Sequence, residues 1–227
     1  MTRRRITIIL SLILVSVAAA LVLPAVYVAL NEAPTSLVDS RFTSDGVILS
    51  DDLEGTWIIS ENSLVGYRVS EQIGLSKLEG VGRTKSVEGS FVVENGLLTT
   101  ASFEVDMTTF VSDRSQRDDQ FRGRIMDTVT HPISTFVLSS PVEIPKSTDV
   151  AAMEAFSVKG ELTLRGVSKM VTIHMFAAID EGRLRLTGST KIIFSEWNIP
   201  NPSLPAALIF TADGGELEFD LVFEPKT

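Results

Sequence analysis

The sequence predicts an all-β domain of eight or more antiparallel strands, closed as a barrel or stacked as a sandwich, behind one N-terminal membrane helix. Three observations carry this. Apolar and polar residues alternate through most of the chain after Gly55, glycine-bearing turns separate the alternating runs, and an uncharged apolar run precedes them all. Alternation at every second residue puts one face of a strand in the core and the other in water, whereas a helix repeats near 3.6.

In chain order, residues 1–30 come first. Arg3, Arg4 and Arg5 are followed by a stretch without charge from Ile6 to Leu30, rich in Ile, Leu, Val and Ala. At 1.5 Å rise per residue this run exceeds a hydrocarbon core of roughly 30 Å. Pro24 would kink it, which membrane helices tolerate. The arginine triplet predicts the N-terminus inside and the rest of the chain outside, as a single-pass protein of the cytoplasmic membrane. Ala18-Ala19-Ala20 would suit a signal peptidase, which would release a secreted protein. The apolar run continues past those alanines and favours an uncleaved signal anchor. Residues 31–53 are polar and acidic with Pro34 and Gly46, and read as a linker, with a first strand around Val47-Ile48-Leu49 as the alternative.

The domain proper is expected over residues 54–227. Val65, Tyr67 and Val69 alternate with Gly66 and Arg68; Phe91 and Val93 face away from Ser90 and Glu94; Phe103, Val105 and Met107 oppose Glu104 and Asp106. The clearest runs are Phe156 to Arg165 and Glu216 to Glu224. In the second, Leu217, Phe219, Leu221 and Phe223 alternate with Glu216, Glu218 and Asp220, which predicts a wet outer face. Leu184 and Leu186, then Ile192 and Phe194, add two more segments. Glu94-Asn95-Gly96 is a hairpin signal, since Asn and Gly accept the positive φ of a tight primed turn. Arg165-Gly166 and Asp180-Glu181-Gly182 mark further turns. Ser112 to Asp127 breaks the alternation and reads as a loop with a short helix around Arg117–Arg124.

Composition removes several functions. With no cysteine there are no disulfides, thiol nucleophiles, thiolate metal sites or lipidated N-terminal Cys. Three of the 20 basic residues sit at positions 3–5, so the remainder carries 17 basic against 29 acidic side chains. Such a surface repels phosphate backbones and anionic headgroups, which argues against nucleic acid as a partner. The two histidines carry little chemistry. His131 precedes Pro132, which biases it to an extended conformation, and reads as a turn residue; His174 reads as an exposed strand residue. No cluster has metal-ligand spacing, no hydrolase elbow or phosphate loop occurs, and no cofactor is implied. Arg114, Arg117, Asp118, Asp119, Arg122, Arg124 and Asp127 form a mixed-charge cluster, either a polar lid or a solvated helix with weak local ion pairs.

The segment Thr108 to Phe136, with Arg117-Asp118, Phe121, Ile125-Met126-Asp127, His131-Pro132 and Phe136, resembles the YceI-like family of exported lipocalin-like barrels. Gly160-Glu161-Leu162-Thr163-Leu164-Arg165-Gly166-Val167 resembles that family's Gly-x-Leu-Thr-x-x-Gly-Val hairpin, and the opening Thr56-Trp57 and the final alternating strand also fit. The resemblance spans Gly55 to Pro225. It implies an antiparallel barrel of about eight strands around an apolar tunnel that holds a polyisoprenoid or similar lipid, without catalysis. It also gives Arg117 and Asp118 a structural role in the loop. Gln120-Phe121 stands where family members usually have His-Leu, a departure that weakens the family's polar contacts at the tunnel mouth as a guide to the ligand headgroup.

Within such a barrel the inward aromatics become the ligand candidates: Phe91, Phe103, Phe110, Phe121, Phe136, Phe156 and Phe194, with Val105, Met107 and Met126. Methionine suits a flexible chain because it repacks easily. Trp197, beside the loop Pro200–Pro205, either guards the mouth or staples the loop. The expected function is non-catalytic binding, storage or transport of an isoprenoid or quinone outside the cytoplasmic membrane. A membrane-tethered β-sandwich for display or protein interaction is the alternative, and a tethered hydrolase dependent on His131 or His174 the third.

Overall fold

The computed structural model describes residues 33–38, 53–74, 76–144, 154–180 and 183–226, together with residues 8, 9, 11–16, 18, 19, 22 and 26. The last group is helical and mostly exposed. Among the described residues no helix is long and apolar enough to cross a membrane, and much of the expected span 6–30 lies outside them. The alternative strand at Val47–Leu49 also lies outside the described residues.

The alternating runs are strands: β1 (Gly55–Ile59), β2 (Leu64–Ile73), β3 (Ser76–Thr84), β4 (Val87–Glu94), β5 (Leu97–Asp106), β6 (Val111–Ser112), β7 (Ile133–Leu138), β8 (Val142–Glu143), β9 (Glu154–Leu164), β10 (Val167–Asp180), β11 (Arg183–Ile193), β12 (Ile209–Thr211) and β13 (Gly214–Pro225). Between β6 and β7 lies α1 (Ser115–Gln120), which runs into a π-helical turn at Phe121–Ile125. The sheet closes as a barrel and does not stack as a sandwich: the order β1-β4-β5-β7-β9-β10-β11-β13 returns to β1, with all pairs antiparallel. Closure removes the free edges that an eight-stranded sheet would otherwise expose.

The seam is shared. β13 pairs along its length with β11, while its other edge meets β2 over Glu216–Asp220 and β1 over Phe223–Pro225. β1 and β2 thus lie end to end. Ser63 bridges the break between them, its Oγ accepting from Val222 N at 3.0 Å and donating to Val222 O at 3.3 Å. β3 and β4 are likewise in series, with a short break at Lys85 and Ser86.

Turn chemistry matches turn geometry. Asn95 and Gly96 (φ +55° and +75°) join β4 to β5, and Arg165 and Gly166 (φ +48° and +74°) join β9 to β10. Both have the paired positive φ of primed turns, whose twist suits a hairpin. The core divides into two clusters along the barrel axis. One, around Met107, Phe121, Leu164 and Trp197, fills the end covered by α1; the other, around Trp57, Phe91, Val93 and Phe223, fills the end with the β4–β5 hairpin.

The wet outer face expected for β13 is corrected here. Glu218 is 1% exposed and Asp220 5%. Ser36 Oγ and Leu37 N donate to the Glu218 carboxylate at 3.1 and 3.2 Å, and Arg68 and Arg83 approach it at 3.4 and 3.2 Å. Arg185 clasps Asp220. Residues 33–38, read from sequence as part of a linker, therefore lie as a strap on the outer wall, with Leu37 buried. A carboxylate can be buried there because four donors replace its water.

Candidate functional site

Inward side chains leave three apolar spaces in line along the barrel. A central space of about 140 Å³ is bounded by Val65, Phe103, Val105, Met107, Leu162 and Phe219 among others. Beyond it, at the α1 end, lies a space of about 80 Å³ bounded by Tyr67, Phe121, Met126 and Phe194. A third, of about 70 Å³, lies toward the β4–β5 hairpin between Phe91, Phe156, Leu138 and Leu184. The partitions are shared walls. Met107, Phe110, Leu164 and Leu217 border both the central and the α1-end spaces; Phe103, Phe136, Met175 and Leu186 border both the central and the hairpin-end spaces. Side chains alone, Phe, Met and Leu, separate neighbouring spaces. Ser134 is buried in the central wall, and its Oγ makes no hydrogen bond. The neighbouring backbone is shaped for large rings: Phe136 lies over Gly160 and Tyr67 over Gly82, each 2.3 Å from where a Cβ would stand.

The α1 end is closed by an aromatic lid. Tyr67 stacks on Phe121 at 5.0 Å and on Phe110 at 5.9 Å, and Phe110 meets Phe121 at 5.0 Å. Burial pushes the Tyr67 phenol well above its ordinary range, with the nearby Arg117 cation acting in the opposite direction. Polar latches hold the lid. Arg117 pairs with Glu71 of β2 at 3.2 Å and with Asp113. Burial works against the Arg117 charge, but the carboxylates of Glu71 and Asp113 more than offset it and raise its pKa. Asp118 accepts from Ser112 N at 2.8 Å and Ser112 Oγ at 2.6 Å, so it fixes the start of the lid. Arg124 donates to the carbonyls of Asn201 and Pro202 at 3.0 and 3.1 Å, tying the lid to the β11–β13 connection.

Of the residues singled out from sequence, the structure sets Phe103, Val105, Met107 and Phe136 around the central space, and Phe110 between it and the α1-end space. Phe121, Met126 and Phe194 border the α1-end space; Phe91 and Phe156 border the hairpin-end space. Trp197 borders none of them. It is buried at 2% exposure in the core cluster, with Lys169 5.9 Å above its ring, and staples the loop. Arg117 borders the α1-end space, whereas Asp118 acts within the lid. The selection missed Tyr67, Leu162, Ile173, Met175 and Phe219, which lie on the inward faces of alternating strands and were legible by the same period. His174 is an exposed strand residue whose Nδ1 lies 2.7 Å from Ser157 Oγ, and His131 packs on Gly166. No group of three or more metal-ligating side chains occurs among the described residues.

The molecule is thus a closed antiparallel barrel with an apolar axial interior under a latched lid. The sequence matches the model of the YceI-like domain over residues 57–223, and the chain belongs to that family. Three solved structures share the fold. Burkholderia cenocepacia BcnA is 22% identical, with a TM-score of 0.57 over 72% of this chain and 98% of its own. A polyisoprenoid-binding domain from Saccharophagus degradans, implicated in plant cell wall breakdown, is 14% identical, with a TM-score of 0.58 over 76% of this chain and 99% of its own. The Campylobacter jejuni YceI protein is 15% identical, with a TM-score of 0.51 over 64% of this chain and 85% of its own. No curated protein matches the sequence.

Proposed function

We propose that this chain binds an apolar long-chain lipid, an isoprenoid, polyprenyl or quinone species, along the barrel axis without transforming it. In this reading the domain stands outside the cytoplasmic membrane, tethered by the apolar run 6–30. The observation that carries the reading is the row of three apolar spaces partitioned by Phe, Met and Leu side chains. Such an interior favours a flexible hydrocarbon through desolvation, about 0.8 kcal/mol per methylene removed from water. Affinity then grows with chain length and needs few polar contacts. The Saccharophagus degradans domain of the same fold, described as polyisoprenoid-binding, supports the same ligand class.

The test is native mass spectrometry of the full-length chain purified from bacterial membranes, followed by solvent extraction and lipid analysis. The expected result is a discrete added mass that extraction releases as an isoprenoid. An apo mass that does not change when polyprenols and quinones are offered would overturn the reading.

A further inference from the structure

The β11–β13 connection carries an apolar run, Leu204-Pro205-Ala206-Ala207-Leu208-Ile209-Phe210, where surface connections are usually polar. A 3-10 turn at Pro205–Ala207 and a bridge between Leu204 and Ile209 shape it into a tight projection. Leu208 sits at φ +54°, a left-handed conformation unfavourable for leucine, with its side chain 61% exposed; Phe210 is 48% exposed. The projection is braced. Gly74 N donates to Leu208 O at 3.2 Å, and Ile209 and Phe210 pair with Ile73 and Gln72 at the tip of the β2–β3 hairpin. Backbone strain is thus held in place to present two large apolar side chains to the surroundings, on the same end as the lid.

The strap identifies what they meet. Arg68 donates to Pro34 O and Arg83 to Thr35 O, before Ser36 and Leu37 reach Glu218. Arg68 lies nearer the β2–β3 tip than Arg83, which stands opposite Gly66. Pro34 and Thr35 therefore lie on the half of the wall nearer the β2–β3 tip. From Leu30, where the uncharged run ends, to Pro34 the backbone spans at most about 14 Å. From Arg68 to the tip at Ile73 is about 17 Å along the strand. A membrane crossed by residues 6–30 lies within reach of Leu208 and Phe210, and far from the hairpin at Asn95–Gly96.

We propose that the lid end of the barrel docks on the bilayer, with Leu208 and Phe210 inserted at the boundary between headgroups and acyl chains. The lid then faces the membrane, and an apolar ligand passes between bilayer and barrel without crossing water. This inference rests on the tether proposed above.

Because the chain has no cysteine, Leu208→Cys and, at the opposite end, Glu94→Cys each give one labelling position, with Phe210→Cys as a second position on the projection. Full-length variants carrying an environment-sensitive fluorophore are reconstituted in phosphatidylcholine vesicles with or without shallow spin-labelled lipid. The expected result is a blue shift and quenching at positions 208 and 210, and neither at 94. A label at 208 and 210 as wet as that at 94 overturns the docking. An alkaline carbonate wash reads the tether separately. A chain retained on the vesicles with wet labels removes the docking alone; a chain lost in the wash yet quenched beforehand removes the tether and keeps the docking.

Discussion

Val105→Phe separates a hollow barrel from a solid one by the sign of its effect. Val105 faces the central space of about 140 Å³. An apolar void of that size left empty costs about 3 kcal/mol at roughly 24 cal/mol per Å³. A phenyl ring at 105 fills part of it and buries two or three methylene equivalents at about 0.8 kcal/mol each, so the ligand-free protein should gain about 1.6–2.4 kcal/mol. The same change in a close-packed core costs about 1–3 kcal/mol through forced rotamers. The assay is urea unfolding of delipidated protein, where a higher midpoint at unchanged slope reads added stability. Lipid recovered by extraction from the undelipidated variant should fall at the same time, since the ring stands in the ligand's path. A lower midpoint with full lipid occupancy would refute both the void and its proposed use.

Three further outcomes are expected. Arg117→Met removes the partner of Glu71 in a nearly buried pair, so stability should fall by about 1–3 kcal/mol and ligand should dissociate faster; an unchanged dissociation rate in stopped-flow would show that the lid is not a barrier. Glu218→Ala leaves Arg68 and Arg83 facing each other without their shared carboxylate and should cost about 3–5 kcal/mol, with new protease cleavage between residues 33 and 38 as the direct sign that the strap has lifted. Tyr67 is held neutral by burial, so its folded pKa exceeds the unfolded value of about 10; the unfolded chain loses this proton first, and stability should fall above pH ~10 by up to about 1.4 kcal/mol per pH unit. Tyr67→Phe should abolish that part of the slope, and parallel alkaline stability curves for the two proteins would count against a buried neutral phenol.

The strands were legible because their inward residues are bulky and their outward ones charged, as in Leu217 to Phe223, and because Asn95-Gly96 and Arg165-Gly166 take the positive φ their residue types permit. β3 was not legible. Gly80 and Gly82 interrupt its pattern, and Gly82 is bare because the Tyr67 ring from β2 occupies the place of its side chain. Closure was not legible from alternation either, since an inward face has the same period in a barrel and a sandwich; the resemblance to known barrels supplied it. The candidates were chosen largely by size, which found Phe103, Met107, Phe110 and Phe136 among the partitions between the axial spaces but passed over Leu164, Met175, Leu186 and Leu217. The burial of Glu218 had no local signal at all. It depends on Ser36 and Leu37, from the opposite end of the sequence, and on two arginines whose charges read as ordinary surface.

The shared seam has a consequence for the order in which the molecule is made. Trp57 and Ile59 of β1 wait for Pro225 and Phe223, and Val65 to Arg68 of β2 wait for Phe219 to Glu216. A nascent chain that has delivered everything up to β11 is still an open sheet with two bare edges and its greasy interior uncovered. β13, made after β11, is the staple that turns this sheet into a closed barrel. Until then the protein needs protection from its neighbours.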